Sequence, residues 1–71
     1  MGSIRTKRAG DDRIVTIDEN ATGAELKRAL GLPSDSILAN ARNQIIADNE
    51  RIGNKVRDGE EVAAMPNYRF W

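Results

Sequence analysis

Few side chains in this chain are suited to chemistry. Glu60 and Glu61 are adjacent carboxylates. Asp11, Asp12, Asp18 and Glu19 are acids close together in sequence, and Arg5, Lys7, Arg8 and Arg13 form a basic group. Tyr68, Arg69, Phe70 and Trp71 set an arginine among all three aromatic residues of the chain. Acid–base catalysis by two carboxylates requires both to reach one substrate. Neighbouring residues of an extended segment point to opposite faces, so Glu60 and Glu61 are not expected to act together. A calcium-type site needs oxygens converging from a regularly spaced loop. The acids here lack the Asp-x-Asp-x-Asp-Gly spacing and read as turn and loop residues. The chain has neither cysteine nor histidine. That removes thiol nucleophiles, disulfides and thiolate ligands, together with the commonest general base and the commonest metal ligand. We expect no enzymatic activity, no metal and no cofactor.

What remains is binding. Arg5, Lys7, Arg8 and Arg13 could meet phosphate, and such contacts would show as a salt dependence of binding. The same charges could instead guard an edge strand against sheet-to-sheet association. Eleven basic and eleven acidic side chains cancel, so no overall field draws nucleic acid or a membrane, and neither is an expected partner. Aromatic residues and arginine are enriched in interface hot spots, which makes Tyr68, Arg69, Phe70 and Trp71 a candidate docking tail for a protein of unknown identity. The same residues could fold back over the chain's own core. Ile45 and Ile46 are the other candidates. In a strand one of them points outward, and it gains meaning only if Ala63 or Met65 joins it in one patch.

These residues have to be positioned by a chain of 71 residues, enough for a single small domain, expected to be monomeric. Apolar runs are too short for a signal peptide or a membrane span, and a cytoplasmic location is expected. From the N-terminus, Met1–Ala9 reads as an edge strand or a frayed tail, with Ile4 and Thr6 on one face. Gly10-Asp11-Asp12 is a turn, and Arg13–Ile17 is a β-branched strand. Thr22-Gly23-Ala24-Glu25 matches a capping box ahead of a helix from Gly23 to about Leu30. Leu26, Ala29 and Leu30 share its apolar face, and Glu25, Lys27 and Arg28 lie off that face. Gly31 suits a left-handed stop, with Pro33 beyond it. Ile37–Ala41 and Gln44–Ala47 read as strands joined by a turn at Arg42-Asn43. The segment from Asp48 to Lys55 is irregular, with Ile52 and Val56 as core anchors. Asp58-Gly59 turns into a last strand, Glu61–Met65. One helix against a four- to five-stranded mixed sheet is an α+β arrangement. If the last strand lies parallel to the first, the sheet closes around the helix.

The run Val56-Arg57-Asp58-Gly59-Glu60-Glu61-Val62-Ala63-Ala64-Met65-Pro66 resembles the C-terminal block of the MoaD/ThiS-like sulfur carriers, which are ubiquitin-like β-grasp proteins. In that family a DG-acidic-x-V turn and strand lead through a proline to the tail. Ile37–Ala47, with Arg42-Asn43-Gln44 in its turn, is similar to the family's valine-asparagine-glycine hairpin. Thr22–Leu32 is similar to its helix, which often ends in leucine-glycine-leucine. The resemblance covers residues from about 13 to 66. It implies a β-grasp domain over residues 1–66 followed by an aromatic tail, 67–71. TGS domains, regulatory modules that contact RNA or protein, share the helix and the DG turn, and an RNA-contacting module stands as a second alternative.

Carriers of this family end in Gly-Gly, whose terminal carboxylate is adenylated and then converted to a thiocarboxylate or thioester. Here Phe70 and Trp71 stand where those glycines would be. Glycines thread a narrow channel because they lack side chains, whereas Phe and Trp each add about 150–250 Å² of surface. The reading is a non-catalytic protein-binding module that does not undergo C-terminal adenylation or conjugation; a sulfur carrier or modifier with an atypical tail is the first alternative. The expected outcome of incubation with ATP and a cognate activating enzyme is no adenylate or thioester on Trp71 by mass spectrometry. A stable adduct there would reverse this reading.

Overall fold

Alternation makes the first strand. Ile4 and Thr6 are buried and Arg5 is exposed along β1 (Ser3–Arg8) in the computed structural model, which describes residues 2–65,. Tyr68, Arg69, Phe70 and Trp71 lie outside the described residues. A turn with Gly10 at φ +88° leads to β2 (Val15–Asp18), antiparallel to β1, with Ile4 opposite Ile17 and Thr6 opposite Val15. This strand starts later than its β-branched composition suggests. The Asp11 carboxylate accepts the Arg13 N–H at 3.0 Å and holds that residue in the turn,.

The helix α1 (Gly23–Ala29) begins on the capping box. The Glu25 N–H donates to Thr22 Oγ1 at 3.3 Å and the Thr22 N–H to Glu25 Oε1 at 3.1 Å. It ends in a Schellman motif. Gly31, at φ +73°, donates to the Arg28 carbonyl at 3.1 Å, and Leu32 donates to the Lys27 carbonyl at 2.9 Å,. Leu26 and Leu30 are buried as their spacing implies. Two positions differ from the expected face. Ala29 is exposed, because seven helical residues make about two turns, and only the Leu26–Leu30 side meets the sheet. Lys27 is 4% exposed. Its ammonium donates to the carbonyls of Ser34 (2.6 Å) and Ser36 (3.1 Å) and pairs with Asp48 Oδ1 (2.6 Å), fastening the connection that leaves the helix.

Strands β3 (Ile37–Ala39) and β4 (Ile45–Ile46) are both shorter than their sequence pattern suggests. Asn40 takes over where β3 stops. Its buried side chain accepts from the N–H groups of Arg42 (2.9 Å) and Gln44 (3.0 Å) and donates to the Lys55 carbonyl (2.7 Å). Asn43 adopts φ +63° in the turn. The segment 48–55 contains a 3₁₀ turn, Ile52–Asn54, and Ile52 and Val56 are both buried in the core. Strand β5 (Glu61–Met65) then enters the middle of the sheet, whose order is β2-β1-β5-β3-β4. It runs parallel to β1, with Lys7 opposite Glu61, and antiparallel to β3. The described residues form a small α+β domain in which α1 covers one face of a five-stranded mixed sheet. Ile4, Leu26, Leu38, Ile46, Ile52, Val56 and Val62 fill the space between. No helix among the described residues is long and apolar enough to cross a membrane.

The start of the helix is pressed against the segment after β4. Gly23 donates to the Glu50 carbonyl at 3.0 Å and Ala24 to the Asp48 carbonyl at 3.1 Å. A Cβ built on Gly23 would overlap the Ala47 carbonyl. Helix propensity alone favours Gly→Ala by about 1 kcal/mol. We expect Gly23→Ala to act in the opposite direction and destabilise the domain by about 1–3 kcal/mol, measured by urea unfolding.

Candidate protein-docking surface

The sheet face turned away from α1 collects side chains by register. Ala39 pairs with both Ile45 and Ala63, and Ile37 pairs with Met65. Residues directly opposite in paired strands share a face, so Ile45, Ala39 and Ala63 make one row and Ile37 and Met65 the next. Ile45 is 60% exposed and Met65 45%, while Ile37 and Ala63 are half-buried. Ile46, a candidate alongside Ile45, is 3% exposed and belongs to the core. It pairs with Leu38 on the helix side, so the surface retains Ile45 and excludes Ile46. Alternation along a two-residue strand sends one isoleucine to each side. The tail candidates Tyr68, Arg69, Phe70 and Trp71 lie outside the described residues.

Three of the four members of the basic group, Arg5, Lys7 and Arg13, are engaged. Arg5 Nη2 pairs with Asp58 Oδ2 at 3.1 Å, and the Arg5 backbone N–H donates to Asp58 Oδ1 at 2.8 Å. Lys7 pairs with Glu61 at 3.2 Å. Arg13 donates through Nη2 to the Leu30 carbonyl at 3.2 Å, adding a side-chain cap to the helix end. A basic strip in which Arg5 and Lys7 face Asp58 and Glu61 and Arg13 caps a helix is a poor phosphate track,. Glu60 and Glu61 part company. Glu60 accepts from the backbone N–H of Arg57 (2.8 Å) and of Ala41 (3.2 Å), while Glu61 turns to Lys7. Among the described residues no group of three or more acids converges as a cation site. A groove of about 180 Å³ on the outer face is lined by Arg5, Thr6, Lys7, Ile14, Gly59 and Glu61, smaller than the ~300 Å³ at which small-molecule sites usually begin. A polar hollow of about 420 Å³ is lined, among the described residues, by the turn from Arg8 to Asp12.

Sequence reasoning missed Ile14. Read as a strand residue, it is instead 64% exposed at the entrance to β2. The signal that could have found it is Asp11, two residues before Arg13, which favours a local turn over strand pairing.

No protein-family model matches the chain, and no curated protein matches it in sequence.

The Arg5–Asp58 clamp carries a pH signature. Hydrogen bonds from the Arg5 guanidinium, then from the Arg5 backbone N–H, hold the Asp58 carboxyl below its ordinary range. The Arg13 backbone N–H does the same, first among its causes, for Asp11. A carboxyl whose folded pKa is depressed stabilises the fold above its unfolded value, near pH 4, and that contribution disappears as pH falls through the folded value. The thermal midpoint is therefore expected to fall as pH drops below about 4. Asp58→Asn should be less stable than wild type at neutral pH and show a shallower acid decline in a calorimetric pH series.

Proposed function

We propose that this chain is a ubiquitin-like β-grasp domain that acts by binding another protein and has no catalytic role. The observation that carries the reading is the pair of apolar rows on the outer sheet face: Ile45 and Met65 are exposed, Ile37 and Ala63 are half-buried between them, and Ala39 is buried in the same row. Large apolar side chains that stand together on a folded surface, bounded by paired charges, have the composition of an interface core with a polar rim. The topology supports the fold assignment. A hairpin, a helix, a second hairpin and a final strand inserted parallel to the first make the arrangement that the resemblance to MoaD/ThiS-like carriers implies.

The rows lie across β5, β3 and β4. A protein partner would cover Ile45 and Met65 and leave the Arg5–Asp58 and Lys7–Glu61 pairs at the margin, where rim charges shape approach more than affinity.

The test uses affinity capture from source lysate with three proteins: wild type, Ile45→Asp with Met65→Asp, and Arg28→Glu as an exposed control on α1, away from the rows and from β2. A partner retained by wild type and by the control but lost from the double variant is the expected result, given that all three keep the same circular dichroism spectrum. Identical captured sets from wild type and the double variant would overturn the reading.

A further inference from the structure

The two edges of the sheet are built differently. At the β4 edge, the Asn40 N–H donates to the Gln44 carbonyl at 3.0 Å. Antiparallel alternation then turns the backbone groups of Ile45 outward. That edge is two residues long, and the Lys55 ammonium sits on the Ile45 carbonyl at 3.2 Å while pairing with Glu50. A lysine on a short edge is a standard block to further strand pairing.

Among the described residues the β2 edge has no such block. The Glu19 N–H donates to the Gly2 carbonyl at 3.0 Å, and the register pairs Ile4 with Ile17 and Thr6 with Val15. By alternation these are the hydrogen-bonded pairs, so the N–H and C=O of Thr16 and of Asp18 point away from β1,. A second observation agrees. Arg5, opposite Thr16, uses its own N–H on Asp58 and its carbonyl on the Gly59 N–H, both on the far side of β1. The edge is extended over Val15–Asp18 and carries no lysine, proline or glycine.

The sequence along this edge is self-complementary. Arg13, Val15, Ile17 and Glu19 alternate toward the helix side: a cation, two apolar residues and an anion. We infer that β2 pairs antiparallel with β2 of a second copy of this chain, about a two-fold axis at Thr16. That register sets Arg13 against Glu19 of the second copy at both ends of the contact and Val15 against Ile17 in its middle, with Thr16 beside its own counterpart. Val15 and Ile17 are partly buried at the open margin of the core, and the second copy extends that core across the joint. Arg13 and Glu19 are both exposed; Arg13 reaches the helix side, where it donates to the Leu30 carbonyl at 3.2 Å, and its guanidinium has to share or exchange that bond to meet Glu19 of the second copy. Charge selects this axis over its neighbours. An axis at Val15 would set Asp12 against Asp18, and one at Ile17 would set Arg13 against Ala21 and lose both end pairs. An isologous contact of this kind closes as a dimer and does not propagate, since the β4 edge is blocked. A single strand pair with its flanking side chains lies below the ~1,200 Å² of tight complexes, so the dimer is weak and concentration-dependent.

Sedimentation equilibrium of the full chain, from micromolar to millimolar concentration, reads the association. Arg13→Glu and Glu19→Arg each convert both end contacts to like charges and should weaken it by about tenfold or more. An equimolar mixture of the two variants restores opposite charges at both ends, as does the double variant, and each should return the association to near the wild-type level. Amide exchange of Thr16 should slow as wild-type concentration rises, a readout that needs no variant. A wild type that stays monomeric at millimolar concentration would overturn the inference. So would an association that neither reversal weakens, or single variants that weaken it without recovery on mixing.

Discussion

The parallel pairing of β1 with β5 is the contact on which the other elements depend. It joins residues more than fifty positions apart. Asp58 accepts from Arg5 across 53 residues and the Thr6 hydroxyl donates to the Glu60 carbonyl across 54. The Gly59 N–H returns a bond to the Arg5 carbonyl at 2.7 Å, and the Ala9 N–H reaches the Val62 carbonyl at 2.8 Å. β5 is the middle strand and the only link between the β1–β2 hairpin and the β3–β4 hairpin among the described strands. Without it the sheet is two separate hairpins, neither stable alone in water. Closing so long a loop costs chain entropy before native contacts repay it, and domains dominated by non-local pairings fold slowly for that reason. The Asp58-Gly59 turn therefore does more than reverse the chain: its carboxylate and its N–H both dock on Arg5, fixing where β5 enters.

The register of that entry decides what the outer face presents. With Lys7 opposite Glu61, the outward positions of β5 become Glu61, Ala63 and Met65. Glu61 is used up on the charged side next to Lys7, and Ala63 and Met65 extend toward β3. A slip of one residue would exchange the two faces of β5. It would set Ala64 and Val62 outside and bring Glu61 into the core, at a cost far above the stability of so small a domain.

Local signals were legible in the sequence and tertiary ones were not. The capping box at Thr22 and Glu25, the left-handed Gly31 and Asn43, and the anchors Ile52 and Val56 each depend on a few neighbouring residues or on simple apolarity, and each is found in the structure. Element order follows from the same signals. Lys27 was misplaced because its burial depends on carbonyls of Ser34 and Ser36, which converge only after the Schellman turn has folded the chain back. Asn40 was absorbed into a strand because its side chain does backbone work that composition does not display. Ile45 and Ile46 could be seen to diverge but not which would face out, since that depends on the β3 register. The outer-face rows were conditional on contacts between β3, β4 and β5, and only the fold supplied those.

The docking rows and the open edge lie on opposite sides of the sheet, with β1 and β5 between β2 and the β3–β4 hairpin. Occupying one therefore leaves the other accessible. A dimer joined through β2 would carry two copies of the Ile45–Met65 surface at its far margins, both on the same side of one continuous sheet if the two-fold axis stands perpendicular to it. Two weak contacts to a repeated or dimeric partner then act as one, because the second forms at the effective concentration set by the first. A small domain with a modest apolar surface gains avidity in this way without enlarging that surface, which for 71 residues would raise the risk of non-specific association. The asymmetry between the edges, with Lys55 closing β4 and, among the described residues, nothing closing β2, would hold such an assembly at two copies.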